Sequence, residues 1–217
     1  MEKKSYKVNH IKNDELAING KGIGEAWEKA NIVSNFISPW DSEEIRKIEF
    51  KALWDAKNLY FLFKVYDSEI HIDATDNSIE SIGNSDRVEL FFRANEEMSP
   101  YYCLEIDPSI RLMDFMAYPQ RKFDFNWSWP KEEIVLKSDI QNDYFTVEGS
   151  ITMNSLKKLN LIKDNKIETG IFRAKFNKSE NHNYKPTWIT WVEPQSETPD
   201  FHIPSSFGIL ELINHLF

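Results

Sequence analysis

The chain has 217 residues, 41% of them apolar, which is enough for one domain with a sizeable core. Its formal net charge is −9, and we expect neither a nucleic acid nor a membrane as a partner, because both favour a basic face. No apolar run is long enough to span a bilayer, and the single cysteine, Cys103, excludes an intrachain disulfide. We expect a single domain over residues 1–217.

The predicted elements are mainly short strands. A short helix after Gly24, through residue 30, comes first. Apolar and charged residues then alternate along Ile45–Trp54, and a polar turn leads into the apolar run Leu59–Tyr66, which together predict a hairpin. A second short helix begins at Asn154 or Ser155 and extends to residue 159. Further strands are predicted at 87–93, 101–106, 111–118, 133–138, 144–153, 169–176, 187–192 and 208–213. Many short strands without a βαβ rhythm predict an all-β fold, an antiparallel β-sandwich with one or two short helices.

The C-terminal part of the chain combines aromatic rings with proline. The segment 188–194 ends an apolar strand with two tryptophans, and the loop after it carries Phe201 and His202 between two prolines. Proline restricts φ and removes an amide donor, so this loop is stiff and needs little further ordering to bind a ligand. Phe201 is the ring we expect to contact a ligand, while His202 serves either the loop or the ligand.

A second aromatic pair lies in the middle of the chain. Trp127 and Trp129 are two residues apart, so an extended segment would place both indoles on one face. Flat aromatic faces suit sugar rings, whose axial C–H groups form an apolar patch. Most of the chain's other large rings are expected to lie in the core.

Acidic residues at strand ends allow a catalytic alternative. Asp86 and Glu89 bracket the start of one predicted strand, Glu105 and Asp107 share a face of the next, and Asp114 lies further on. A glycoside hydrolase requires two carboxyls across a cleft, about 5 to 9 Å apart, and neighbouring strands can supply them. Such carboxylates also satisfy buried backbone donors or bind calcium, and this structural interpretation stays open beside the catalytic one.

Several short motifs form an ordered set along the chain. They are Ile18-Asn19-Gly20 with Glu25 and Trp27, Trp54-Asp55 with Leu59-Tyr60-Phe61, Asp86-x-x-Glu89-Leu90-Phe91, Tyr102-x-x-Glu105, Tyr144 to Glu148, and Phe201-His202-x-Pro204 with Phe207-Gly208. Over nearly its whole length the chain therefore resembles family 9 carbohydrate-binding modules, the sandwich modules first known as appendages of xylanases.

This resemblance implies a β-sandwich that binds sugars and often carries calcium as a structural ion. In well-understood members of the family a sugar lies between two tryptophans, and the matching positions here are Gly83 and Phe201. One aromatic wall is therefore absent and the other is a phenylalanine. The implied ligand, the reducing end of a glucan or xylan chain, would stack on Phe201.

The resemblance also suggests roles for polar residues. His202, Asp86 and Glu89 would orient sugar hydroxyls or brace the loop. Arg121 and the indoles of Trp127 and Trp129 are further candidates, because the segment 107–129 can replace the ring missing at the first wall.

The resulting hypothesis is non-catalytic carbohydrate binding in polysaccharide breakdown, with an oligo- or polysaccharide as the ligand and a glycoside hydrolase as an implied partner. One alternative is a glycoside hydrolase that uses the strand-end carboxylates. Another is a haem-binding member of a related sandwich superfamily, for which Met113, Met116 and His202 are available as ligands. Relatives usually act outside the cytoplasm, whereas the given N-terminus has no secretory signal, so the localisation stays open.

Overall fold

The computed structural model describes residues 3–181 and 183–214, so both ends of the expected 1–217 domain lie outside the described residues. This part of the chain forms twelve strands. They are β1 (Ser5–His10), β2 (Ile48–Trp54), β3 (Asn58–Tyr66), β4 (Arg87–Arg93), β5 (Tyr101–Ile106), β6 (Leu112–Tyr118), β7 (Lys122–Asp124), β8 (Ile134–Ile140), β9 (Tyr144–Thr152), β10 (Lys166–Lys178), β11 (Tyr184–Thr190) and β12 (Gly208–Ile213).

The described helices are short. There are two α-helices, α1 (Ile79–Gly83) and α2 (Met153–Lys158), and three 3-10 turns at Glu25–Lys29, Lys131–Glu133 and Pro204–Ser206. The helix predicted after Gly24 is therefore a 3-10 helix, and α1 was not predicted. Helix α2 begins earlier than expected because its N-cap is Thr152, not Asn154 or Ser155. The Thr152 hydroxyl accepts a hydrogen bond from the backbone amide of Ser155.

One curled sheet contains all twelve strands. Its order is β7-β6-β5-β4-β10-β12-β1-β2-β3-β9-β8, and β11 pairs with β10 outside this path. The all-β class and the short helices are confirmed, and most neighbouring strands are antiparallel as predicted. Strand β1 is the exception, because it pairs in parallel with both β12 and β2.

The main core lies inside the curl of the sheet. Phe61 of β3 and Val147 of β9 belong to the same buried cluster as Leu90 of β4 and Ile171 of β10. Each fully buried side chain of this size stabilises the fold by about 1.5–3 kcal/mol relative to leaving it exposed. Two separate halves of the sheet therefore share one apolar interior, as expected of a sandwich.

Both outer faces of the sheet carry smaller apolar clusters. The N-terminal segment covers β2 and β3, where the buried Glu148 carboxylate accepts hydrogen bonds from the Asn19 amide and the Trp27 indole. The cluster on the other outer face involves Phe91, Phe115, Phe172 and Phe201. That second cluster surrounds the candidate site.

Candidate ligand-binding cavity

The floor of the site is the outer face of β4, β5, β6, β10 and β11. Arg87, Glu89 and Phe91 share this face of β4, because alternate side chains of a strand point to the same side. Glu89 lies directly opposite Glu105 on β5 and opposite Phe172 on β10. The register thus places two adjacent carboxyls beside an aromatic ring.

Phe201 forms one wall of the site. Its ring stacks on Phe172 with centroids 4.1 Å apart and planes 9° apart, and the Trp188 indole meets it edge-on at 5.7 Å. The Phe172 ring can lie low over the sheet because Gly170 has no side chain, and a Cβ there would be 2.3 Å from that ring. Phe201 is only 5% exposed, so the ring predicted to contact a ligand is packed into a wall of the site.

The β6–β7 connection and the C-terminal loop form the rim. Arg121 on this connection pairs with Asp200 of the loop at 2.9 Å. Phe123 packs against Phe125, and Phe125 is 44% exposed. We call the space between this rim, the Phe201 wall and the floor described above the outer-face cavity.

The cavity is small, with a volume of about 180 Å³. Pockets for drug-sized ligands occupy roughly 300–1,000 Å³. The outer-face cavity therefore suits a single small ring rather than an extended ligand.

His202 is an uncharged part of the cavity lining. Its Nδ1 is hydrogen bonded to the Tyr101 hydroxyl at 3.0 Å, and its ring packs against Phe91 and Phe123 with centroids 5.0 and 4.9 Å away. Burial, followed by the positive charges of two nearby arginines, lowers the pKa of His202 to about 3. The imidazole is therefore neutral at physiological pH, and Nε2 is its remaining polar atom.

Glu89 is the least satisfied acid of the cavity. Its Oε1 is buried and lies 3.0 Å from Nε of Arg87, yet it has no hydrogen bond within the described residues. Arg87 instead donates from Nε to Glu105 at 2.6 Å and from Nη1 to the Gly83 carbonyl at 2.7 Å. Burial, with the charge of Glu105 next, raises the pKa of Glu89 to about 8. This carboxyl therefore holds its proton at neutral pH, and its Oε1 is a buried polar atom that no hydrogen bond satisfies.

The cavity brings together four of the seven residues predicted as ligand contacts: Phe201, His202, Arg121 and Glu89. The other three lie elsewhere. Asp86 is fully buried and accepts hydrogen bonds from the backbone amides of Phe176 and His71. Trp129 is a core residue packed on Phe92 and Tyr102, and Trp127 packs on Tyr102 and Trp129.

The remaining acids of the catalytic alternative have structural contacts. Asp107 is fully buried and accepts hydrogen bonds from the backbone amide and the guanidinium of Arg111. Asp114 accepts the backbone amide of Trp129 at 2.5 Å. Of the strand-end carboxyls, Glu89 and Glu105 are the pair that lines the cavity.

Haem does not fit the outer-face cavity. Met113 and His202 line the cavity, but about 180 Å³ is too small for a haem macrocycle. Met116 packs against the main core instead. In residues 3–181 and 183–214, no group of three or more His, Cys, Asp or Glu side chains is arranged to hold a metal ion.

Several cavity residues were not singled out as ligand contacts. Phe115 lies on the outward face of β6, and Arg87 lies on that of β4. Trp188 lies on β11. Ala174 of β10 separates it from Arg87, because Ala174 is paired with Trp188 on one side and with Arg87 on the other. The period-two alternation of side chains along β4 and β6 is the sequence signal that could have identified Arg87 and Phe115 as residues of the outward face. Phe123 and Phe125 lie in and just after β7, which the sequence pattern did not predict.

A mostly antiparallel curled sheet with a small aromatic cavity on its outer face defines a β-sandwich module with space for a small ligand. The family model described as "Carbohydrate family 9 binding domain-like" matches residues 18–215. The chain belongs to this family, and the resemblance recognised in its motifs is confirmed.

Solved structures share this fold at low sequence identity. A Bacteroides uniformis ATCC 8492 protein to which carbohydrate binding is ascribed is similar over 97% of this chain and 100% of its own, with a TM-score of 0.73 and 14% identity. A family 9 module from Caldicellulosiruptor kristjanssonii in complex with glucose is similar over 98% of this chain and 97% of its own, with a TM-score of 0.62 and 17% identity. A family 9 module from the same organism in complex with cellotriose gives a TM-score of 0.58 and 16% identity, over 96% of this chain and 93% of its own.

A search of curated proteins finds no match. None of the helices in the described part of the chain is long and apolar enough to cross a membrane.

Proposed function

We propose that this protein binds carbohydrate without catalysing a reaction, and that one sugar ring occupies the outer-face cavity. The observation that carries the proposal is the pairing of aromatic walls with a buried acceptor. Trp188 and Phe201 offer apolar surface to the C–H face of a sugar, while Oε1 of Glu89 lacks a hydrogen bond that a sugar hydroxyl can donate. Membership of a carbohydrate-binding family supports the same ligand class.

The size of the cavity favours one terminal ring of a glycan. A chain interior would need an open groove on both sides of the bound unit, whereas this space is bounded by the Arg121–Asp200 pair at its rim. The complexes of similar modules with glucose and cellotriose make these two sugars the first ligands to test.

The direct experiment is titration calorimetry with glucose, cellotriose, xylose and xylotriose. We expect binding by the wild-type protein and a loss of affinity in Trp188→Leu, because that indole forms a cavity wall. Trp127→Leu is the matched control, since Trp127 packs on Tyr102 outside the cavity. Loss of affinity in Trp127→Leu alone would instead favour the site first suggested by the Trp-x-Trp motif.

The pair of Glu89 and Glu105 is the feature that favours hydrolysis as a second candidate. A glycosidase needs its sugar between the two carboxyls. Here Nε of Arg87 lies within 3.0 Å of both, so a guanidinium occupies the space in which a glycosidic bond would react. We therefore expect no turnover of chromogenic glycosides, and turnover that is lost in Glu89→Gln would overturn this proposal.

The biological setting belongs to the same proposal. We infer a role in the breakdown of xylan- or glucan-type polysaccharide beside a glycoside hydrolase, supported by the family alone. Adding the protein to a xylanase or a cellulase acting on insoluble substrate should raise the release of soluble sugar. An unchanged rate with both enzymes would count against this setting, while sugar binding itself would be judged by the titrations above.

A further inference from the structure

Acidic side chains outnumber basic ones in the lining of the outer-face cavity. There are three acids, Glu89, Glu105 and Asp200, and two bases, Arg87 and Arg121. Arg121 is paired with Asp200 at 2.9 Å, and Arg87 donates to Glu105 at 2.6 Å. Glu89 shares the guanidinium of Arg87 with Glu105: its Oε1 lies 3.0 Å from Nε but receives no hydrogen bond from it.

Among the described residues, Arg87 is the only cation paired with Glu89. Across the strands, Glu89 faces the acidic Glu105 on one side and the uncharged Phe172 on the other. His202 lies in an aromatic surrounding and is neutral. Glu89 keeps its proton in this surrounding, and a bound group that carries a positive charge would stabilise its ionised form.

The aromatic walls are also suited to a cation. The guanidinium carbon of Arg87 already lies 5.5 Å from the Trp188 ring centroid, and that of Arg121 lies 5.6 Å from the Phe123 centroid. Aromatic faces attract cations through their quadrupole, and the attraction is strongest where water is excluded. The same surfaces accept the apolar face of a sugar ring.

We propose that the sugar unit bound in the outer-face cavity carries a free amino group, and that its ammonium binds to Oε1 of Glu89. This inference rests on the proposed function and names the chemical class of the sugar, a hexosamine. The ammonium offers three donors to the acceptor that lacks one. When the pair forms, the Glu89 carboxyl releases its proton to the solvent, which leaves a carboxylate bound to an ammonium.

The first test compares sugars of nearly equal shape by calorimetry at pH 7. Glucosamine and 6-amino-6-deoxyglucose are compared with glucose, and N-acetylglucosamine serves as the uncharged amide. We expect at least one free amino sugar to bind roughly tenfold or more tightly than glucose, because hydrogen bonds between charged groups are the stronger class. Equal affinity for glucose and both amino sugars would overturn the hexosamine inference while leaving sugar binding intact. No binding of any sugar would overturn the proposed function as well.

Variants assign the preference to Glu89. Glu89→Gln keeps the shape of the side chain and removes its charge, so it should bind glucose and the amino sugar with similar affinity. Glu180→Gln, an exposed position in the turn between β10 and β11, is the control and should keep the wild-type preference. A preference that survives in Glu89→Gln would overturn the assignment.

Proton release is an independent readout that needs no variant. Titrations at pH 7 in buffers of different ionisation enthalpy should show release of up to one proton when the amino sugar binds. Amino-sugar binding without any proton release would contradict the formation of the Glu89 ion pair.

Discussion

Replacing Phe201 by alanine should weaken both the fold and sugar binding, and the structure allows each effect to be sized. The ring is 5% exposed, stacks on Phe172 and contacts Trp188. Truncating a buried phenylalanine to alanine costs about 3–5 kcal/mol. For a chain of this length, that cost lowers the melting temperature by roughly 6–20 °C.

The effect on affinity comes from the loss of the cavity wall. Truncation of an aromatic anchor in a binding site typically costs more than about 1 kcal/mol, so we expect at least a fivefold weaker sugar affinity. Scanning calorimetry measures the first quantity. Titration calorimetry, performed well below the melting temperature of the variant, measures the second.

Phe176→Ala is the matched control for this variant. Phe176 is 7% exposed and packs against His71, away from the cavity. It should lower the melting temperature to a comparable extent and leave sugar affinity unchanged. Unchanged affinity in folded Phe201→Ala, or an equal loss in both variants, would refute the assignment of this wall.

Three further predictions concern the rim, the missing wall and the floor of the cavity. Arg121→Ala removes an exposed ion pair with Asp200, so it should change stability by about 1 kcal/mol or less yet weaken sugar binding in the same titration. Gly83→Trp should tighten sugar binding by adding an aromatic ring at the position of the missing wall. Gly83 adjoins Arg87, and a Cβ there meets no atom within 4 Å. A lower affinity in the folded variant would contradict this. The pKa of Glu89 is raised to about 8 from an ordinary 4.5, so its stabilising contribution is complete below pH 4.5 and is lost as the pH rises through 8. Melting temperatures between pH 5 and 9 should therefore decrease more steeply for the wild type than for Glu89→Gln. Parallel plots of melting temperature against pH for the two proteins would show that Glu89 does not titrate in this range.

Strands with strong local patterns were predictable from sequence. The bounds of β4, β5 and β12 agree with the predicted segments, because each is an apolar run ended by polar or turn residues. Strand β1 was not predicted. Only Tyr6 and Val8 are buried along it, and it is ordered by parallel pairing with β12 and β2, which are distant in the sequence.

The site was predictable only in part, for a similar reason. The motifs indicated Phe201, His202 and Glu89, but the opposition of Glu89 to Glu105 depends on strand register. Trp127 and Trp129 share an aromatic pattern that equally suits a core, and Trp129 is 1% exposed. Local sequence does not distinguish an aromatic ring of the core from one that lines a cavity, because the packing of loops against the sheet decides which rings stay accessible.

The most direct test of carbohydrate binding in the outer-face cavity is a crystal structure with a bound glucose, glucosamine or cellotriose. We predict one sugar ring against Trp188 and Phe201, with a hydroxyl or ammonium within hydrogen-bond distance of Glu89. A sugar bound on another face, such as beside Trp127, with no sugar in the cavity at saturating concentration, would contradict the account.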